Sequence, residues 1–309
     1  MITLKQMMAF VALVDTGSFS GAAARIHVTQ PALSQQIKEM ERLLGVTLVE
    51  RLPRDIRLTR AGQVAIERVR AILAMTNDLA SEVRLQQGLT GRLTLGVIPT
   101  IAPYLLPRAL TRIKAAALDI DMRVREAQTA DLLDDVARGR LDAAVIALPY
   151  DLHGLVAEPL FTDRFLLAGS RARIAALSAT DAPPRPTDVS PDALLLLDEG
   201  HCLADQALDV CGLSRARQRV DLGASSLSTL CGLVAQGFGL TFVPEIALAT
   251  EQAASPEMAV LRFPTPEPER VIALVRRSST QATAWFTDLA ALLAEAGSEL
   301  LYDARMRGM

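Results

Sequence analysis

Cysteine is scarce in this chain, three residues in 309, and an odd count argues against the disulfide framework of a secreted domain. Histidine is equally scarce. His27, His153 and His201 lie in three different segments, so no metal-ligating cluster is expected. Long apolar runs are missing as well: stretches such as Leu194 to Leu197 are far too short to span a bilayer. Met1 to Phe10 lacks a charged start followed by an apolar core, so no secretory signal is expected. Neither a nucleophile elbow nor a glycine-rich dinucleotide loop occurs, which argues against a hydrolase or a dehydrogenase. The absences together point to a cytoplasmic protein that is not an enzyme and has no cofactor, metal or membrane partner. In that compartment cysteines stay reduced unless they have a redox task.

The length is large for one core and implies two or more domains. Half of the residues are apolar and 4% are aromatic, as in soluble globular proteins rich in Ala, Leu and Val. Net charge is −3, unevenly spread. Residues 1–60 hold eight Lys/Arg against five Asp/Glu, a net +3, which leaves −6 for residues 61–309. A basic head on an acidic body is compatible with binding nucleic acid.

Within the head, Phe10, Val11, Leu13 and Val14 give a helical apolar face that Gly17 ends. Ser18 or Ser20 can cap a short helix through Ala22, Ala23, Ala24 and Ile26, whose small side chains suit a close helix crossing. His27 and Val28 form a turn, and Thr29 is the expected N-cap of the next helix, with Pro31 tolerated in its first turn. That helix runs to about Leu44, with Leu33, Ile37, Met40 and Leu44 inward and Gly45 as its stop. Gln30, Ser34, Gln35 and Lys38 face outward. Any solvated helix has such a face, but glutamine can also bond adenine edges, and Ser and Lys can reach bases or phosphates. Val49 to Thr59 reads as a two-stranded wing whose Arg51, Arg54 and Arg57 suit phosphate contacts.

Ser18-Phe19, Ala22-Ala23, Thr29-Gln30-Pro31-Ala32-Leu33-Ser34, Ile37, Glu41, Leu43 to Gly45, Glu50-Arg51 and Leu58-Thr59-Arg60-Ala61-Gly62 resemble the winged helix-turn-helix of LysR-type transcriptional regulators. Val49 departs from the family's usual Phe, a smaller core residue that should be tolerated. Promoter DNA and RNA polymerase are the partners this resemblance implies.

From Ala61 to Gln87 there is no proline, and Ala65, Val69, Ile72, Leu79 and Val83, with Thr76 in the gap, follow a heptad spacing. About 27 residues of helix extend ~40 Å, too long for burial in one small domain. Its apolar seam calls for a partner helix, hence a homodimer. Helices of this kind join two heads in the family, and the resemblance extends the assembly to a tetramer.

Beyond it, Leu93 to Val97, Met122 to Glu126 and Ala143 to Ala147 read as strands, with helices near Tyr104 to Ala116 and Ala130 to Arg138. Such strand–helix repeats predict parallel strands and an α/β architecture. Thr100 and Thr129 fall at strand-to-helix junctions, where each is by itself a cap. Asp181 to Pro186 is read as an exposed loop. Ser225-Ser226 caps a helix through Ala235, Leu240 to Val243 is a strand, and a final strand, Val271 to Val275, precedes a helix from Thr283 to Ala296. Chain crossings near residues 163 and 267 give two Rossmann-like α/β subdomains, similar to the periplasmic-binding-protein-like effector domain of the same family. The expected organisation is a DNA-binding domain at 1–60, a linker helix at 61–89 and an effector domain at 90–309. Subdomain I comprises 90–163 with 268–309, and subdomain II comprises 164–267.

The run from Gly200 to Cys211 holds two of the three cysteines. It has helical composition, and nine residues of helix separate the Cα atoms of Cys202 and Cys211 by ~13.5 Å. A disulfide needs them within about 7 Å, so the pair cannot close without melting the helix. Leu95 to Pro107, Glu126 to Thr129, Leu196 to Cys211 and Pro266 to Arg270 resemble the peroxide-sensing OxyR branch. That resemblance implies a Cys202 nucleophile oxidised by hydrogen peroxide to a sulfenic acid, then resolved by Cys211 as a disulfide. It places Thr100 and Thr129 on the peroxide, with His201, Asp205 and Arg270 around the thiol and Arg270 as support for the thiolate. Ala204 departs from the branch, whose members often carry a basic residue there. Cys231 has no matching role. Two other readings compete: a LysR-type regulator of a small metabolite bound between the subdomains, and a thiol peroxidase with a vestigial DNA head.

Overall fold

The computed structural model describes residues 1–51, 55–85, 91–115, 120–179, 184–198, 200–213, 224–278 and 284–307. These form two compact units, one drawn from residues 1–80 with 138–140 and the other from residues 81–137 and 141–309.

In the first unit, helix α1 (Leu4–Thr16) starts on a capping box in which Thr3 and Gln6 satisfy each other's backbone N–H. It ends at Gly17. Ser18, not Ser20, caps α2 (Phe19–Arg25) by accepting from Gly21 N–H at 3.1 Å. Thr29 caps α3 (Gln30–Leu44), with Pro31 in its first turn and Gly45 at its end. Ala22 and Ala23 are buried, which lets α2 lie close to its neighbours, and Leu33, Ile37 and Met40 complete the core with Phe10 and Leu13. Leu44, expected inward, is 39% exposed. It shares the inward face, but the core stops one turn short of the helix end.

Strands β1 (Val49–Arg51) and β2 (Ile56–Leu58) form the antiparallel wing, with Val49 opposite Leu58 and Glu50 opposite Arg57. Glu41 joins helix to wing: its Oε1 accepts from Leu48 N–H at 2.8 Å and Val49 N–H at 3.2 Å. Val49 is buried in the head core, where its small side chain is accommodated.

Helix α4 (Arg60–Leu85) follows. Its expected heptad seam is corrected by the packing. Val69 is buried against the head together with Ile66, and Ala65 packs beside them. The exposed apolar stripe is instead Val64, Ile72, Met75 and Leu79, with Val64 and Leu79 more than 60% exposed. The head core claims the first two seam positions because α4 starts directly under the wing.

The second unit opens with β3 (Gly91–Val97), α5 (Ala102–Ala115), β4 (Ile120–Glu126), α6 (Thr129–Ala137) and β5 (Ala143–Leu148). Strands β3 and β4 pair in parallel, as do β3 and β5. Next come β6 (Leu155–Ser170), α7 (Arg171–Ser178), α8 (Cys202–Cys211), α9 (Leu227–Ala235), β7 (Thr241–Pro244), α10 (Leu248–Ala254), β8 (Met258–Arg262), β9 (Glu269–Arg277) and α11 (Ala284–Arg307). The strands run in the order β4-β3-β5-β9-β6-β7, with β8 also on β6.

The expectation of parallel strands holds only for β3, β4 and β5. Strand β9 is antiparallel to β5 and β6, and β6 is antiparallel to β7 and β8. The mixture arises because β6 is sixteen residues long and serves two neighbourhoods. It pairs with β9 as far as Arg164, then with β7 and β8 from Phe165 onward. Its sequence changes at the same place, from an alternating half-exposed pattern to the buried run Phe165 to Gly169. Helix α11 also runs past the expected end at Ala296. It passes through Gly297, where a Cβ would sit 2.2 Å from the Phe161 ring, so this residue permits the packing instead of stopping the helix.

Candidate functional site

Helix α8 begins at Cys202 and ends at Cys211, so one thiol occupies each end of ten residues. Both are free, Cys202 half-buried and Cys211 buried. Their Cα atoms are ~13.5 Å apart at the standard helical rise. His201 takes the N-cap position without a side-chain cap bond, and Gly212 closes the helix at φ 65°. The apolar residues Leu203, Ala207 and Leu208 anchor α8 in the main core. Ala204, where the resemblance leads one to look for a basic residue, is buried among them. Gln206 donates its Nε2 to the Leu148 carbonyl at 3.3 Å, tying α8 to the end of β5.

Cys202 opens onto a crevice lined by Ile98, Pro99, Thr100, Gln128, Thr129, Gly200 and His201, too tight for a water-sized molecule. Thr100 is buried and is not a helix cap: its Oγ1 accepts from Arg270 Nη1 at 3.0 Å. Thr129, expected to cap α6, is its first helical residue. Its buried Oγ1 has no partner of regular hydrogen-bond geometry among the described residues, yet the hydroxyl sits near enough to Cys202 to favour the thiolate. The structure therefore brings Cys202, Thr100, Thr129, His201 and Arg270 together.

Electrostatics at the thiol are mixed. Burial pushes the Cys202 thiol up, against the Arg270 guanidinium, the Thr129 hydroxyl and the Leu203 N–H, all of which favour the thiolate. Exposed Asp205, placed around the thiol by the resemblance, acts against the thiolate: its negative charge raises the Cys202 pKa. Cys211 is pushed up to about 11 by burial alone. Cys231, fully buried on α9, is raised by burial and by the nearby Glu251. Burial therefore pushes all three thiols up, and only Cys202 has neighbours that oppose it.

Asp163 escaped the sequence reading. It lies on β6 with Arg270 opposite it on β9, and both side chains are 0% exposed. Arg270 donates to Asp163 Oδ2 from Nη2 at 2.9 Å and from Nε at 3.1 Å. The only visible signal was an acid standing just before an apolar strand run. Tyr104 and Glu251, hydrogen-bonded at 2.6 Å inside the protein, were missed in the same way.

On the first unit, Thr29, Gln30, Pro31, Gln35 and Lys38 are exposed at the start and outer face of α3, with Ser34 half-buried among them. Arg57 projects from β2, exposed, toward the wing surface. Arg54 and the Arg51 side chain lie outside the described residues. Among the described residues no group of side chains could hold a metal ion, and no helix is long and apolar enough to cross a membrane.

Residues 4–63 match the family model of the bacterial regulatory helix-turn-helix protein, lysR family, and residues 86–298 match that of the LysR substrate binding domain. The chain belongs to the LysR family. A probable hydrogen peroxide-inducible genes activator of Streptomyces viridosporus is 41% identical over 300 residues, covering 96% of this chain and 95% of the relative. The HTH-type transcriptional regulator EstR of Acinetobacter baylyi is 36% identical, covering 90% and 91%. Among solved structures, a cysteine-to-serine mutant of OxyR from Corynebacterium glutamicum with hydrogen peroxide bound aligns at a TM-score of 0.68 and 32% identity, covering 100% of this chain and 97% of that one. This LysR-family protein is thus an OxyR-like, DNA-binding transcriptional regulator and not an enzyme.

Proposed function

We propose that this regulator senses hydrogen peroxide through Cys202 and transmits the signal by forming a Cys202–Cys211 disulfide. The placement of two thiols at opposite ends of one short helix, the first beside Thr100, Thr129 and Arg270, carries the reading. Peroxide enters after the crevice loosens. Cys202 loses its proton and attacks one peroxide oxygen; the O–O bond breaks, and the second oxygen leaves as water with two protons. Thr100 and Thr129 hydroxyls are suited to orient the peroxide and to stabilise the leaving oxygen, and Arg270 favours the attacking thiolate. Cys202 is then a sulfenic acid. The Cys211 thiol attacks that sulfur, the S–O bond breaks and a second water departs. The final bond requires α8 to unwind, because its ends are too far apart to be bridged.

The reading extends to the rest of the chain. Residues 1–60 grip promoter DNA through α3 and the wing, 61–89 pair two copies, and 90–309 form the effector domain, split at 163–164 and 267–268. Unwinding α8 changes how the copies, as a tetramer, present their heads to DNA and to RNA polymerase. The protein acts in the cytoplasm, without a cofactor, to control antioxidant genes. Mass spectrometry of Cys231→Ser protein after one equivalent of peroxide tests the chemistry, with a Cys202–Cys211 linkage expected. A footprint that differs between reduced and oxidised protein is the expected output.

The match of residues 86–298 to the LysR substrate binding domain favours a second reading, in which a small metabolite binds between the effector subdomains and the cysteines are incidental. Absence of the linkage under peroxide would support it.

A further inference from the structure

We infer that Asp163 is a positioning residue of the thiol site: it fixes the Arg270 guanidinium on Thr100, offsets its charge, and thereby sets how readily Cys202 reacts. The inference rests on the function proposed above and concerns the regulation of the same site.

Arg270 is fully buried and reaches four acceptor contacts. Two go to Asp163 Oδ2, at 2.9 and 3.1 Å, one to Thr100 Oγ1 at 3.0 Å and one to the Thr100 carbonyl at 3.4 Å. The Phe165 ring lies 5.7 Å from the guanidinium carbon and closes another side. Asp163 is itself fixed, since its Oδ1 accepts from Ile246 N–H at 3.0 Å. Both carboxylate oxygens are therefore committed, and the planar fork of the guanidinium leaves it one orientation. Asp163 holds one edge of the fork and Thr100 takes the other.

Charge follows from the same geometry. A buried cation lacking an acid beside it would act on Cys202 with its whole field, since an opposite charge within ~4–6 Å lowers a pKa by roughly 1–3 units. With Asp163 attached, the pair is close to neutral and the field at the sulfur is partial. The groups facing Cys202 are Arg270 from β9, Thr129 from α6, Asp205 from its own helix and the adjoining His201. Those facing Asp163 are Arg270 and Glu245, the latter already paired with Arg262 and Arg305. Asp163 is thus the acid attached directly to the cation that favours the thiolate. It would keep the sensor from firing at basal oxidant.

The test is the pH dependence of Cys202 alkylation by iodoacetamide in the full-length reduced protein, read on the Cys202 peptide by mass spectrometry. Asp163→Asn should move the midpoint down by about one unit or more and raise the alkylation rate at neutral pH about tenfold. Arg270→Gln should move it up, and adding Asp163→Asn to Arg270→Gln should change it little further. A folded Asp163→Asn protein with the wild-type midpoint would overturn the inference. Should that variant not fold, Arg270→Lys decides. It keeps the charge and its acid, but a single ammonium cannot bridge Asp163 and Thr100, so the midpoint should rise. An unchanged midpoint in Arg270→Lys would also overturn it. Failure of the wild-type protein to form a Cys202–Cys211 bond with peroxide would refute the proposed function, while these midpoints would still decide the part played by Asp163.

Discussion

Tyr104 donates its phenol hydrogen to Glu251 Oε1 at 2.6 Å, joining α5 to α10 where both residues are buried. Ser228 donates to the same oxygen at 2.9 Å, and the second carboxylate oxygen has no partner among the described residues. A buried carboxylate with so few donors depends heavily on each one. Tyr104→Phe should cost about 1–3 kcal/mol, measured by urea unfolding, and a loss within error would contradict this account. The pH sign is also fixed. Burial and Glu251 raise the Tyr104 pKa in the folded state, so its contribution is complete below about pH 10, the unfolded value. Above that pH the unfolded chain loses its phenol proton first and stability falls. The fall should shrink in Tyr104→Phe.

Cys211 offers a second pH test. Its thiol is pushed from 9.0 up to about 11, a rise of about 2 units, so at pH 8 its thiolate fraction is about a hundredfold below that of an unperturbed thiol. Alkylation of Cys211 should be at least that much slower in the native reduced protein than in urea. Because the folded pKa is the higher one, stability from this group is complete below about pH 9 and is lost as pH rises through about 11. Equal rates in native and unfolded protein would contradict the burial described for the C-terminal end of α8.

Gly212 closes α8 with φ 65°, a conformation that L side chains rarely adopt. Gly212→Ala should weaken that end by roughly 1 kcal/mol. Since the disulfide needs α8 to unwind, the substitution should speed Cys202–Cys211 bond formation about fivefold, although it touches neither sulfur. Stopped-flow oxidation with a Cys231→Ser background measures it. A slower bond would mean that unwinding is not part of the reaction.

For DNA, Arg57→Ala and Gln35→Ala should separate two kinds of contact. Loss of Arg57 should weaken binding to all sequences and reduce the salt slope by about one. Loss of Gln35 should leave the slope unchanged and cost about 1–3 kcal/mol at the operator alone. Titrations at several salt concentrations, on operator and unrelated DNA, read both. Interchanged results would mean that α3 and the wing have the opposite tasks.

The head was legible almost residue by residue because its signals are local. Thr29 caps as expected, Ser18 is one of the two expected cap candidates, Gly17 and Gly45 stop, and a 3.6-residue period marks Leu33, Ile37 and Met40 as inward. The α4 seam was read correctly at Ile72 and Leu79, which are exposed, but not at Ala65 and Val69, which pack on the head. Two surfaces compete for the same apolar positions, and periodicity does not say which one wins. In the candidate site, the cysteine run and its helix were equally plain. The Asp163–Arg270 pair was not, since 107 residues separate two side chains that only strand pairing brings together.

By itself, the sequence determined the helices of the head with their caps and stops, the family and the spacing of Cys202 and Cys211, all properties of neighbouring residues or of local period. Tertiary structure alone decided the antiparallel strands of the sheet, the burial that pushes the thiols up and the sign of the Asp205 effect on Cys202. Those depend on distances between remote segments and on the exclusion of water, which no local pattern encodes.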